Sequence, residues 1–282
     1  MIRFFADAAV IPFLWSGLAA GVLASISCGV VGPYVVTRRL LFLAGALAHI
    51  AIGGVGAAIY LSTFHPTAFG WLEPIHGGLA AALVSAPVLA VLSHRMKERL
   101  DTVVGALWAV GMSIGILLIK ITPGYHTELM SYLFGNISFV TRGDVEFLAC
   151  LSGAVVLIAA AFHRRFVALC LDAEQAELRG IPVLATDVVL FLLIAVTVIV
   201  LTQIVGLILV IALLSLPAAI GARVMTRLGP AMAVAFVVSA VATTVPRIAV
   251  YGSAISPEAA IVLFTAGLYL LVVLTRRRVG VP

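Results

Sequence analysis

Charged residues and cysteines are scarce in this 282-residue chain. Charged residues make up 10% of the sequence and hydrophobic residues 63%, and the mean hydropathy is +1.23. A chain with so few polar side chains cannot cover the surface of a soluble domain. The composition therefore predicts a multi-pass protein of the lipid bilayer, built as an all-α bundle of helices.

The small number of cysteines excludes two kinds of site. Cys28, Cys150 and Cys170 are isolated from one another and lie in or at the ends of apolar runs. Because no CxxC spacing is present, neither a disulfide framework nor a thiolate metal cluster is indicated. We interpret the three cysteines as packing residues, although Cys28 could also supply a soft ligand near the histidine discussed below.

Sequence motifs of enzymes are missing as well. There is no H-E-x-x-H, no G-x-S-x-G and no G-x-x-x-x-G-K-[ST] loop, so the chain has neither a recognisable hydrolytic site nor a nucleotide site. We therefore predict that the chain is not an enzyme, that it holds no covalently bound cofactor, and that any ATP hydrolysis belongs to another chain. The net charge of +5 does not indicate nucleic-acid binding, because the positive residues stand at the ends of apolar runs.

Apolar runs long enough to cross a bilayer, which takes about 20 residues, recur along the whole chain. The runs around 184–222 are continuous except for Thr202, Gln203 and Gly206, and a run of that length must fold back on itself. We predict about 8–9 transmembrane helices in a single transmembrane domain over residues 1–282. The predicted spans are 10–36, 40–62, 77–94, 101–121, 144–162, 184–202, 204–222, 229–248 and 258–275.

Lysine and arginine are distributed unequally between the alternate loops. If the first span ends in the cytoplasm at Arg38 and Arg39, the opposite side holds four of the 17 positive residues, namely Arg3, Lys120, Arg142 and Arg247. Cytoplasmic loops carry an excess of lysine and arginine. The sequence therefore predicts a cytoplasmic carboxyl terminus.

One predicted helix carries an ionisable group in an otherwise apolar and small-residue sequence. The stretch from Arg38 to Gly56 reads RRLLFLAGALAHIAIGGVG, with His49 as its single imidazole. An ionisable side chain in a membrane helix usually faces the bundle interior or a water-filled path, and small residues allow close helix packing. The pattern predicts a helix inside the bundle, with His49 either as a ligand on a path or as a hydrogen-bonded packing residue.

Two segments do not fit a simple span. The apolar part MSYLFGNISFV is too short to cross the bilayer, so Gly135 and Asn136 are predicted to lie in a broken or re-entrant helix that lines a cavity. The second is the segment 164–187, which is charged and ends with Gly180 and Pro182, two residues that stop a helix. It predicts a short polar helix at the cytoplasmic face, suited either to docking a partner or to forming a solvated surface.

Five segments together carry a family resemblance. RRLLFLAGALAHIAIGG, DTVVGALWAVGMSIGILLI at 101–119, LMSYLFGNISFV at 129–140, ALCLDAEQAELRGI and IVGLILVIALLSLPAAIGARV at 204–224 occur in this order. In them the chain resembles the permease subunits of the zinc/manganese ABC importers, the ABC-3 family, over about residues 13–274. The resemblance implies a fold similar to that of the type II ABC importers. It also implies a function, the transport of a divalent transition-metal ion (zinc, manganese or iron) by alternating access.

The resemblance further implies partners and a location. These are a dimer of cytoplasmic ATP-binding subunits, an extracytoplasmic metal-binding protein and a second permease copy, most simply as a homodimer, in the plasma membrane of a prokaryote. The cytoplasmic segment at about 166–183 would be the coupling segment to the ATPase. Its implied coupling residues are Asp172, Glu174, Gln175, Ala176, Glu177, Leu178, Arg179 and Gly180.

The same resemblance singles out the position of His49. This residue matches the histidine of the family's D-A-L-S-H-A signature, whereas the position of the aspartate is Gly45 here. Residues four apart lie on one face of a helix, so the usual Asp–His pair is reduced to its histidine. We take His49 as the candidate metal ligand, with zinc or manganese as the expected cargo, and Gly45, Gly135, Asn136 and Gln203 as cavity-lining candidates.

Two alternatives remain open. A secondary, ion-coupled transporter of a small solute or metal is the first, although no aspartate or glutamate stands in the middle of a predicted span, where proton coupling would place one. The second concerns His65, Glu73 and His76 in the outer loop, which could meet an arriving cation or could be ordinary loop residues.

Overall fold

The protein is described here from a computed structural model. It describes Asp7 and residues 12–95, 100–123 and 140–278. The predicted broken helix with Gly135 and Asn136 therefore lies outside the described residues. In chain order the described helices are α1 (Pro12–Thr37), α2 (Leu41–Phe64), α3 (Pro66–Phe69), α4 (Pro74–Arg95), α5 (Leu100–Ile121), α6 (Arg142–Leu171), α7 (Ala173–Leu178), α8 (Val183–Val205), α9 (Leu207–Val224), α10 (Leu228–Ala249) and α11 (Pro257–Arg278).

Long apolar helices dominate this list. Within the described ranges, nine helices are long and apolar enough to cross a membrane, and each overlaps one of the nine predicted spans. The prediction of an all-α membrane bundle is thereby confirmed. The two helices that are too short to cross are α3 and α7.

The structure places two helix boundaries differently from the sequence pattern. Helix α6 continues to Leu171 instead of ending near 162, so Arg164 and Arg165 lie within a helix. The break in the long apolar run falls at Gly206 alone, while Thr202 and Gln203 remain in α8. Gly206 has a φ of 96°, a backbone conformation that glycine adopts without the steric penalty of a side chain, and this explains the position of the break.

The described residues form two compact units. One unit comprises 1–38, 134–160 and 204–282, and in it α1 packs against α9 and α10 while α11 packs against α9 and α10. The other comprises 39–133 and 161–203, and in it α2 packs against α4 and α5. The prediction of one domain over residues 1–282 stays a prediction.

Helix α2 is the organising element of its unit. In its most apolar window, 78% of the residues are buried, against 17% in α5. Its glycines allow the neighbouring backbones to approach: a Cβ on Gly53 would lie 2.8 Å from the carbonyl oxygen of Gly111, and one on Gly56 would lie 2.6 Å from that of Gly115. Small residues at helix interfaces have this role in membrane proteins. The predicted burial of α2 inside a bundle is confirmed.

Candidate functional site

His49 lies in the buried middle of α2. Its side chain is 8% exposed, and its Nδ1–H donates a hydrogen bond of 2.8 Å to the carbonyl oxygen of Gly45, one turn earlier. A carbonyl oxygen only accepts, so the proton of the neutral ring resides on Nδ1 and the lone pair on Nε2. This is the tautomer in which a histidine binds a metal through Nε2 while a second group holds Nδ1–H.

The second neighbour of His49 is Trp108 on α5. The centroids of the imidazole and indole rings are 4.4 Å apart with an interplanar angle of 33°. Trp108 also contacts Phe42, with centroids 5.3 Å apart. Sequence reasoning did not single out Trp108, because residues so distant along the chain give no periodic signal that they will meet.

Gly45 lies beside the same indole. A Cβ built on Gly45 would lie 3.5 and 3.6 Å from the two nearest carbons of the Trp108 six-membered ring. These are ordinary van der Waals distances, so a methyl group fits while a longer side chain must share its space with the indole. The structure therefore brings together Gly45 and His49, as expected from their spacing, and adds Trp108.

A preformed multidentate metal site is not seen in the part of the chain that the structure describes. There, no three His, Cys, Asp or Glu side chains come close enough to hold one ion. What α2 offers an ion is one neutral imidazole. A single nitrogen ligand binds weakly, and weak binding suits a path from which an ion must also leave.

Gln203 occupies another part of this unit. Its Nε2 is buried without a hydrogen-bond partner and would lie 3.6 Å from a Cβ on Gly78, beside Val55. A buried unpaired amide costs free energy, and such groups in membranes are typical of functional positions. Gln203 lies beside Gly78, whereas His49 contacts Gly45 and Trp108.

The segment predicted to couple to an ATPase folds into the short helix α7. Asp172 is its N-cap, and its Oδ1 accepts hydrogen bonds from the backbone N–H of Glu174 (2.9 Å) and of Gln175 (3.1 Å). The helix ends in a Schellman motif, in which Ile181 N–H donates to the Ala176 carbonyl and Gly180 has a φ of 78°. The predicted short helix with a stop at Gly180 is confirmed.

One side chain anchors α7, and the others remain exposed. Ala176 is 2% exposed and packs with Leu169 of α6 and Val183 of α8. The remaining residues of the predicted coupling set are exposed, and they are Asp172, Glu174, Gln175, Glu177, Leu178, Arg179 and Gly180. Leu178 is 87% exposed and is the aliphatic side chain at the end of this helix.

A buried arginine in the other unit was missed by the sequence analysis. Arg247, which was counted among the outer loop charges, lies in α10, is 3% exposed and has an Nη1 without a hydrogen-bond partner. Its guanidinium lies directly against Gly17 of α1. Glu258 at the start of α11 interacts with it electrostatically.

The outer loop retains its two alternatives. His76 Nδ1 accepts a hydrogen bond of 3.2 Å from the backbone N–H of Glu73, and its ring lies 6.1 Å from that of Trp71. His65 is the residue between α2 and α3. These contacts describe a local turn and give no evidence that the two histidines share a ligand.

Comparison with known proteins identifies the family. The model of the ABC 3 transport family matches residues 10–276. The chain is a member of the ABC-3 transport family. It is 34% identical to an uncharacterized membrane protein of Synechocystis over 98% of this chain and 95% of that protein. It is 31% identical to a "Probable metal transport system membrane protein" of Chlamydia trachomatis over 94% of this chain and 90% of that protein.

A solved structure shares the architecture of this ABC-3 permease. PsaBC from Streptococcus pneumoniae, solved in complex with a Fab, matches with a TM-score of 0.79 and 25% sequence identity, over 96% of this chain and 95% of that chain. The expected ABC-permease fold is confirmed by this match. Because the match extends over almost the full length of both chains, it includes both compact units.

Proposed function

We propose that this ABC-3 permease imports a divalent transition-metal ion by alternating access. The observation that supports the proposal most strongly is the full-length family match, together with a relative whose name is a metal transport system membrane protein. Among the described spans, α2 carries a neutral imidazole in its buried middle. Imidazole suits zinc and neighbouring transition metals and is a poor ligand for magnesium or calcium.

The energy source in this proposal is a separate dimer of ATP-binding subunits. The sequence has no P-loop of its own, and α7 presents exposed charges with Leu178 at its end. Since Ala176 packs on the ends of α6 and α8, a force on α7 reaches two spans directly. ATP-driven closure of the dimer would thus bias the spans between two arrangements.

The remaining partners follow from the direction of transport. An extracytoplasmic metal-binding protein would deliver the ion, and a second permease copy would complete the path. The plasma membrane of a prokaryote is the proposed location, with the carboxyl terminus and α7 in the cytoplasm. The family match favours this importer over the ion-coupled secondary transporter.

Copurification tests the proposed energy source. The permease, tagged at its carboxyl terminus, is expressed with the ATP-binding protein of its proposed transporter and extracted in detergent. We expect the ATP-binding protein to remain with the wild-type permease and to be lost from the Leu178→Asp variant, because a charge is then placed in the apolar part of the contact. Ile255→Asp, in the loop before α11, is the matched control, because Ile255 is an aliphatic side chain that is 58% exposed and lies outside the predicted spans. Retention by the Leu178 variant would place the ATPase contact elsewhere.

A further inference from the structure

We propose that Trp108 is the residue that sets the ion preference of the His49 site, favouring Zn²⁺ over Mn²⁺. The inference rests on the proposed function, in which His49 meets the transported ion. The inference goes beyond the proposed function by naming a residue on another helix that determines which ion is accepted.

Trp108 is fixed on the face of α5 that packs against α2. Gly111 and Gly115 lie three and seven residues later, on the same helical face, and both are in close contact with the α2 backbone, at Ile50 and Ile52. The indole contacts Phe42 as well as His49. Two ring contacts and a tight helix seam leave the indole little freedom to move.

This placement fixes the imidazole from two directions. The Gly45 carbonyl holds Nδ1–H, and the indole covers one face of the ring at a centroid distance of 4.4 Å. The ring nitrogen whose lone pair remains available to an ion is Nε2. Loss of a hydrogen-bond partner that orients a ligating histidine typically costs about 10–100-fold in metal affinity or activity, and we expect the stacked indole to act in the same sense.

The indole also lines the space that a side chain at position 45 would enter. Beyond a Cβ on Gly45, the nearest atoms belong to Trp108, and the next residues along the seam are glycines. In the described ranges no three metal-binding side chains come together to complete a site. An ion at His49 therefore finds nitrogen but no carboxylate from this seam. Zn²⁺ accepts imidazole readily, whereas Mn²⁺ prefers carboxylate and carbonyl oxygens.

The first experiment uses the fluorescence of Trp108 as the probe. The chain has three tryptophans, so Trp15→Phe with Trp71→Phe leaves Trp108 alone. Co²⁺, whose open d shell quenches an adjacent indole, is titrated into this purified protein and then displaced with Zn²⁺ or Mn²⁺. We expect quenching that is absent in His49→Ala, and recovery at a lower concentration of Zn²⁺ than of Mn²⁺. Equal recovery by both ions would overturn the proposal.

The second experiment changes the residue itself. Equilibrium dialysis measures binding of Zn²⁺ and of Mn²⁺ to the wild-type permease, Trp108→Phe, Trp108→Leu and the control Leu117→Ala, whose side chain is 60% exposed on the same helix. Trp108→Leu removes the indole and leaves room beside the imidazole for the oxygen ligands that Mn²⁺ prefers, water included, so the Zn²⁺ to Mn²⁺ affinity ratio should fall. Trp108→Phe, which keeps an aromatic face, and Leu117→Ala should retain it. An unchanged ratio in Trp108→Leu would contradict the assignment.

A double variant tests the space argument. Gly45→Asp adds an oxygen ligand one turn before His49, and the gain in Mn²⁺ affinity should be larger when Trp108 is also Leu, since the carboxylate then has room. Equal gains with and without the indole would show that Trp108 does not exclude the oxygen.

The outcomes separate this inference from the proposed function. If neither ion binds in a His49-dependent manner, the placement of His49 on the ion path is wrong, and the assignment of Trp108 is overturned with it. If binding depends on His49 while the ion preference ignores Trp108, only the present inference is overturned.

Discussion

At the scale of single residues, the site consists of common side chains placed unusually. His49 is an ionisable group in the middle of an apolar span, and its neutral tautomer is fixed by a backbone carbonyl 2.8 Å away. The lone pair on Nε2 is then left for the proposed ion. The exposed Asp172 has a structural role, because its carboxylate accepts hydrogen bonds from backbone N–H groups of its own helix.

The N-cap role of Asp172 gives a prediction that distinguishes the effect of losing the helix cap from the effect of losing the negative charge. Asp172→Ala should destabilise α7 by about 1 kcal/mol, because two backbone N–H groups lose their acceptor, whereas Asp172→Asn should retain the cap. If the segment couples by its fold, ATPase stimulation falls in the alanine variant and persists in the asparagine variant. Equal loss in both variants would mean that the negative charge itself is required.

Gly17 gives a second residue-scale prediction. A Cβ at this position would overlap the guanidinium of Arg247, so Gly17→Ala must displace the end of a buried arginine side chain. Overpacking of this kind costs about 1–3 kcal/mol. We expect a lower Tm in detergent for Gly17→Ala and no change for Gly153→Ala, where nothing lies within 4 Å of the new Cβ. Equal Tm values for the two variants would argue against the buried position of Arg247.

At the scale of elements, α7 is the clearest case of local sequence dictating structure. An N-cap aspartate, a buried alanine and a glycine with positive φ define a helix of six residues. Pro182 then precedes α8, which begins at Val183. A helix so short is not stable by itself, so it depends on the packing of Ala176 between the ends of α6 and α8.

The charges of α7 can be reversed without touching this packing. Glu174 and Glu177 are exposed, and replacing both by lysine should abolish transport and ATPase stimulation while the protein remains folded in the membrane, because the expected partner surface would then face charges of the wrong sign. The control is Glu146→Lys, an equally exposed glutamate near the start of α6. Wild-type transport in the double variant would make the coupling assignment of α7 wrong.

At the scale of the whole molecule, the sequence predicted more of the fold than of the site. The nine spans follow from hydrophobic length alone, because a helix in lipid must be apolar over the full hydrocarbon thickness. The α7 stop and the break near Gly206 follow from residues with strong local preferences. These features are determined by residues close to one another in the sequence, which is why the sequence predicts them.

The Trp108–His49 contact and the burial of Arg247 depend on residues that are distant in the sequence and close in the folded chain. Trp108 meets His49 because glycines hold α2 and α5 together farther along the seam, and no spacing within either helix encodes that meeting. Arg247 was placed in an outer loop because a charge near the end of a predicted span is normally exposed. Its burial results from packing against Gly17 of another helix.

Orientation is the whole-molecule property that most needs a direct test. In a variant without the three native cysteines, Glu177→Cys should react with a membrane-impermeant maleimide only in inside-out vesicles, since the distribution of lysine and arginine predicts that α7 is cytoplasmic. Thr67→Cys in α3 should react only in right-side-out cells. The reverse pattern would invert the proposed topology.

ATP-driven metal uptake tests the central claim most directly. The permease is reconstituted in proteoliposomes with its ATP-binding subunits and metal-loaded binding protein, and uptake of radioactive zinc is followed with and without ATP. The account predicts ATP-dependent uptake by the wild-type protein, its loss in His49→Ala, and its retention in His94→Ala, a control histidine exposed at the end of α4. Absence of ATP-dependent uptake by the wild-type protein, or full uptake by His49→Ala, would contradict it.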